Sequence, residues 1–187
     1  MTQLPNTLYI ADRTAWRQWL QANYTTAEEV WLIYPRRHSS KLRIPYNDAV
    51  EEALCFGWID SITKTIDEDN YSQRFTPRNP RSSYSQTNIE RLRKLIPQGK
   101  VMLEVQTSLG NLLDEPFVCP PDIEAALRAD AQVWANFNSY SGAYQRIRIA
   151  YVDTARKRPG EFEKRLNNLI AKTAVNKQFG FGIEDYF

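Results

Sequence analysis

Apolar positions along this chain follow two spacings, and the change from one to the other marks out its elements. Leu8-Tyr9-Ile10 reads as a short strand. Asp12 then suits a helix N-cap, because Ala15, Trp16, Trp19 and Leu20 recur on one helical face behind it. Val30-Trp31-Leu32-Ile33-Tyr34 is β-branched and aromatic and is closed by Pro35, which predicts a buried strand. From Asn47 the spacing becomes helical: Val50, Ala53, Leu54 and Gly57 follow i, i+3, i+4, i+7. Asp48, Glu51 and Glu52 favour the positive start of that helix and fit a solvated helix face, while Gly57 suits the residue just past its end. Trp58 to Ile66 and Tyr71 to Thr76, separated by Asp67-Glu68-Asp69-Asn70, give a hairpin pattern with a turn longer than two residues. Pairing Ile66 with Tyr71 sets Ile62 opposite Phe75 and Lys64 opposite Gln73, a register with apolar partners on one face.

Beyond the hairpin the pattern is helical. Ser83 or Ser85 caps a helix carrying Ile89, Leu92, Leu95 and Ile96 that closes near Gly99, and residues 101–113 read as helical too. The three prolines between Glu115 and Pro121 mark a linker. Asp122 and Asp130 start two short helices, the second with Val133, Trp134 and Phe137 on its apolar side. Ser139 or Ser141 begins a third, bearing Tyr144, Ile147, Tyr151 and Val152 and broken by Pro159-Gly160; Phe162, Leu166, Leu169 and Ile170 mark a fourth. The tail from Gln178 to Phe187 holds three Phe and a Tyr, and such a tail either frays or docks on the body. These elements predict an α+β protein: a small antiparallel sheet of about three strands (near 30–35, 58–66 and 71–76) packed with helices, followed by a helical C-terminal part. The expected division is a core at 1–114 and a helical part at 122–187.

A hydrophobic fraction of 42% across 187 residues is enough to build a core, so disorder is not the default. No stretch approaches the roughly 18 apolar residues of a membrane span. The N-terminus lacks a basic segment followed by an apolar one, and Cys55 and Cys119 make no disulfide framework, so the cytoplasm is the expected compartment. The net charge of +2 conceals an acidic run at Asp60 and Asp67 to Asp69, then a basic one from Arg74 to Lys100. A second basic run holds Arg36, Arg37, Lys41 and Arg43. Concentrated basic stretches can accept an anion locally; they can also be solvated faces.

The densest polar stretch runs from Tyr46 to Asn88. Asp60 shares a predicted strand face with Trp58, Ile62 and Ile66, and a carboxylate on an apolar face needs a partner. It is either a pocket acid or part of a structural ion pair. Arg74, Arg78 and Arg81 offer forked donors for phosphate or carboxylate, beside Ser82, Ser83, Ser85 and a helix start. The candidate binding residues are therefore Trp58, Asp60, Arg74, Arg78, Ser85 and Asn88. His38 is the sole histidine and lies in a basic loop, which argues against histidine metal sites and Ser-His-Asp triads. There is no phosphate-binding glycine loop, so no cofactor is expected, and no catalytic set is visible. Basic groups interleave with Tyr71, Phe75 and Tyr84, but the low charge and the lack of a recognised module argue against nucleic acid.

The run Tyr46-Asn47-Asp48-Ala49-Val50-Glu51-Glu52-Ala53-Leu54-Cys55-Phe56-Gly57-Trp58-Ile59-Asp60-Ser61 resembles the signature of the YdeI/OmpD-associated family, also called bacteriocin-protection proteins. Arg74-Phe75-Thr76-Pro77-Arg78, then Ser83-Tyr84-Ser85 and Asn88, resemble its next blocks in order and spacing, and the Trp134 to Arg158 region resembles its C-terminal helical part. The chain departs in having Tyr84 where the family usually has Trp, and in the interruption at Arg158-Pro159-Gly160. The resemblance implies protection against bacteriocins or antimicrobial peptides and carries no reaction or catalytic residue with it. The expectation is a non-enzymatic cytoplasmic binding or stress-tolerance protein with an anion-accepting surface, its partner an anionic small molecule or a protein. Two alternatives stay open: an enzyme on an acidic or phosphorylated small molecule with Asp60 as acid–base, and a protein-interaction module using the aromatic tail.

Overall fold

The computed structural model describes residues 5–187 and is an α+β protein. The chain forms two compact units: one runs through Ser83 and resumes at Arg91–Gly110, and the other joins Tyr84–Glu90 to Asn111–Phe187.

The first unit contains β1 (Thr7–Leu8), α1 (Arg13–Asn23), β2 (Val30–Pro35), α2 (Tyr46–Cys55), β3 (Trp58–Thr65), β4 (Asn70–Pro77) and α4 (Leu103–Leu109). Helix α3 (Gln86–Leu95) gives its start to the second unit and its end to the first. The sheet has four strands in the order β1-β2-β4-β3 and is mixed, where three antiparallel strands were expected. The addition is β1, which pairs parallel with β2 through Thr7 and Leu8 and is extended by the Trp31 amide donating to the Asn6 carbonyl. One sheet face carries Val30, Leu32, Tyr34, Gln73, Phe75, Asp60 and Trp58 in register. Helices α1 and α2 lie on that face: Trp16 packs 5.3 Å from Phe75, centroid to centroid, and its indole nitrogen donates to the Ala49 carbonyl. Asp12 caps α1 by accepting from the Ala15 amide, as its position predicts.

The hairpin register differs from the expected one. Thr65, not Ile66, faces Tyr71, so Thr63 faces Gln73 and Lys64 faces Ser72. The turn sets this offset: Asp67 Oδ1 accepts from the amides of Asp69 and Asn70 and from the Asn70 side chain, drawing Asn70 into β4. Ser61 and Ile62 then bulge opposite Arg74, and beyond them Asp60 faces Phe75. Ile62 sits in the bulge and is 52% exposed rather than paired with Phe75. The bulge allows both Trp58 and Asp60 to reach the helix-covered face.

Glu51 and Glu52 are not on a solvated face: both are buried. Arg13 and Arg17, one turn apart on α1, close on Glu52 at 2.5 and 2.6 Å, and Arg13 also reaches Asp48 and Glu51. Burial works against the Arg13 charge, yet the two glutamates outweigh it and raise its pKa. The helix expected over 101–113 is shorter and stops at Gly110, whose φ of 52° lies in the left-handed region.

The second unit contains α5 (Pro121–Arg128), α6 (Ala131–Ser139), α7 (Gly142–Asp153), α8 (Glu161–Ala174) and a terminal 3-10 turn at Glu184–Tyr186. Asp130 caps α6 with two amides and Ser141 caps α7. Ile123, Leu127, Val133, Phe137, Tyr144, Val152 and Leu169 form its core. The tail docks there, with Ile183 buried and the Phe179 amide donating to the Tyr144 hydroxyl.

Candidate functional site

The helix-covered sheet face of the first unit carries a polar patch inside an otherwise apolar layer. Asp60 Oδ2 accepts from the Tyr46 hydroxyl at 2.9 Å and from Gln73 Nε2 at 3.3 Å. Helix α2 starts at Tyr46 and so places its hydroxyl over β3, while Gln73 sits two residues along β4 from Phe75, the partner of Asp60. Burial, followed by the Asp60 charge and hydrogen bond, pushes the Tyr46 hydroxyl above its ordinary pKa, so it stays a donor across neutral pH. Tyr34 is on the same face, buried, with its ring stacked on Tyr71 at 5.3 Å. Its hydroxyl has no hydrogen-bond partner among the described residues. Burial first, then Tyr71, Tyr46 and Asp60, push its pKa up, and Arg43 works in the opposite direction.

The other candidates from the sequence are placed differently. Trp58 is a core residue, packed edge-on to Trp19, and its indole nitrogen donates to the Tyr24 carbonyl at 3.1 Å. Arg74 neighbours Gln73 on β4, so it projects from the opposite sheet face to Asp60. There its Nε donates to Glu29 at 2.6 Å. Arg78 holds the corner after β4: its amide donates to the Gly57 carbonyl and its guanidinium to the Ser82 carbonyl. Ser85 Oγ accepts from the Asn88 amide and so caps α3, and Asn88 is buried. Ser85 and Asn88 belong to the second unit, and Trp58, Asp60, Arg74 and Arg78 to the first. His38 is exposed, with Nε2 3.0 Å from Asp69 Oδ1. No group of three or more metal-ligating side chains occurs among the described residues. Burial lifts the Cys55 thiol to about 11, which keeps it an inert core thiol at neutral pH.

Two features escaped the sequence reading. The sequence marks Tyr34 only as part of a buried strand, and its alternation with Leu32 carries no signal that its hydroxyl lies on the Asp60 face without a hydrogen bond. An apolar cleft of about 610 Å³ on the same unit is lined by Tyr9, Ile33, Leu42 and Ile66, with Lys41 and Asp67 at its margin. These residues come from four separate stretches of chain, which spacing alone does not join. Among the described residues no helix is long and apolar enough to cross a membrane.

Residues 8–107 match the model of a domain of unknown function (DUF8412). Residues 116–176 match the model described as bacteriocin-protection, YdeI or OmpD-associated. No curated protein and no solved structure matches the chain. The blocks between Tyr46 and Asn88 thus fall inside the first match, and the bacteriocin-protection match lies in the helical region that follows. Residues 116–176 are similar to the bacteriocin-protection, YdeI/OmpD-associated model over about a third of the chain, and with more than half of its length in the first match the chain belongs to the DUF8412 domain family.

Proposed function

We propose that this is a non-enzymatic binding protein acting in tolerance to antimicrobial peptides, and that its first unit takes a small anionic ligand at the Asp60 patch. The observation that carries this reading is the Tyr34 hydroxyl, buried on the same face as Asp60 and lacking a hydrogen-bond partner. Leaving such a group unsatisfied costs about 1–3 kcal/mol, which a bound polar group recovers. Among the described residues Tyr46 and Gln73 both donate to Asp60 Oδ2, which leaves Oδ1 to orient a hydroxyl or amino donor on the ligand. The negative charge of the ligand is met by arginines rather than by Asp60. Arg43 and Arg91 bear electrostatically on Tyr34 and Tyr46, and Arg78 supplies the cation at the neighbouring corner. Arg74 is committed to Glu29 and contributes least.

Binding fits the patch better than acid–base chemistry, because both neighbours of Asp60 are neutral donors and Tyr46 keeps its proton. The family description of the second region supplies the physiological setting. The test is survival of a deletion strain challenged with an antimicrobial peptide. Wild-type protein restores survival, whereas Asp60→Asn and Tyr34→Phe restore it poorly. Full protection by both variants, shown by circular dichroism to be folded, would overturn the reading.

A further inference from the structure

The second unit buries a cation that has no counter-ion among the described residues. Arg148 lies on α7, four residues after Tyr144 and four before Val152, and so on the apolar stripe of that helix. It is 4% exposed. Its guanidinium is held between two rings, 3.9 Å from the centroid of Phe179 and 4.6 Å from that of Tyr151. The docked tail fixes this stack: Gly180 passes so close that a Cβ there would sit 3.4 Å from Arg148 Nη1. Nε and Nη2 have no hydrogen-bond partner, and no carboxylate pairs with Arg148 among the described residues. A second guanidinium, that of Arg165, packs 3.9 Å from the centroid of the Tyr151 ring and adds to the positive field. A buried charge without a partner is strongly disfavoured, so a fold that holds one rigidly at a cavity is arranged for an anion that comes from outside.

The cavity beside Arg148 has a volume of about 440 Å³, and small-molecule sites fall between about 300 and 1,000 Å³. Its walls are mainly Ile147, Tyr151, Phe179 and Ile183, with Thr87 and Asn168 as neutral polar groups. We propose that Arg148 is the anion-binding residue of a ligand site in the second unit, and that its ligand is a carboxylate carried on a compact apolar body. The donors without a partner are Nε and Nη2, the side-on edge of the guanidinium, which a carboxylate meets with two parallel hydrogen bonds; both are covered by the surrounding side chains, which must give way as the ligand enters. The apolar walls suit an alkyl or aryl body and leave few donors for the several oxygens of a phosphate. This site is separate from the Asp60 patch and stands whether or not that reading holds.

The experiment is calorimetric titration of the full chain with 3-phenylpropionate and, as the uncharged isostere, 3-phenylpropanamide. The acid binds at least tenfold more tightly than the amide, and Arg148→Met removes that difference. Two peptides ending in Phe, one with a free C-terminal carboxylate and one amidated, separate the possible sources. A peptide acid that binds more tightly than 3-phenylpropionate assigns a protein or peptide C-terminus, and the reverse order assigns a free acid; either supports the carboxylate class. Because Arg148→Met can fail to fold, the wild-type Arg148 Nε–H resonance is the second readout, shifting with the acid and not with the amide. Equal affinity for acid and amide, or no binding of either acid and no shift of that resonance at 10-millimolar probe, on the order of the weakest millimolar affinities, overturns the proposal.

Discussion

Asp60 and Arg74 stand on paired strands, yet the alternation of β4 sends Arg74 to Glu29 and leaves Asp60 with Tyr46 and Gln73. One residue of offset thus separates two groups that sequence proximity had placed together. The Glu29–Arg74 pair has a consequence that depends on pH. The Arg74 hydrogen bond, helped by that from Trp31, holds the Glu29 carboxyl below its ordinary pKa. A carboxyl with a lowered folded-state pKa contributes fully above the unfolded value near about 4.3, and that contribution is lost as pH falls through the folded value. Urea midpoints measured from pH 7 down to pH 3 should therefore fall less steeply for Arg74→Gln than for wild type on the acid limb; parallel curves would show that the pair adds nothing. At this scale the legibility of the sequence was uneven. Asp60 was recognisable as an acid on an apolar strand face, and its need for partners followed from charge. Tyr46 and Gln73 as those partners were not recognisable, because neither residue type signals its target. Arg148 did leave a trace, a charged residue in phase with Tyr144, Ile147 and Val152, but only the tail packing shows why a cation is kept there.

The elements followed the sequence at the capped helix starts and departed from it at the hairpin and at the buried acids of α2. Asp12, Ser85, Asp130 and Ser141 cap the helices that their positions announce, since capping needs only the next three residues. The hairpin register was not accessible, because the side chain of Asp67 shifts the turn and the bulge at Ser61 and Ile62 shifts it again. Glu51 and Glu52 likewise looked solvated until α1 brought Arg13 and Arg17 onto them from more than thirty residues away. Gly57 is the joint between helix and hairpin. It ends α2 with φ at 72°, and a Cβ at this position would meet Val105 Cγ2 at 3.3 Å. Left-handed backbone costs a residue with a Cβ about 1–2 kcal/mol. The tight contact adds to that cost. Gly57→Ala should therefore lower unfolding free energy by about 1–2 kcal/mol or slightly more in urea titration, whereas an unchanged midpoint would mean that the corner relaxes without cost.

Across the whole molecule, the boundary between the two family matches and the boundary between the two compact units do not coincide. Residues 84–90 lie inside the first match, but they pack in the second unit. The second unit is therefore assembled from two stretches of chain, and a half-buried ion pair ties them: Arg146 closes on Glu90 through Nε and Nη2, both at 2.7 Å. Glu90 is buried, and its hydrogen bond raises the pKa of Arg146. Composition gave no sign of this exchange, because Glu90 reads as one acid on the polar side of a helix. The stretch 108–115 between the matches includes the exposed Asn111, Asp114 and Glu115 and offers a place to cut. With a specific protease site inserted after Asp114, cleavage leaves Glu90 on one piece and Arg146 on the other. The pieces should still elute together in size-exclusion chromatography, because the contacts that complete the second unit cross the cut. Arg146 keeps about a third of its side chain in solvent, so losing Glu90 costs about 1.5–3 kcal/mol, the value of a hydrogen bond to a charged group. Glu90→Ala in the cut protein should then weaken the association of the pieces by about tenfold or more. Pieces that separate at once on cutting, with Glu90 intact, would show that the start of α3 does not hold residues 115–187.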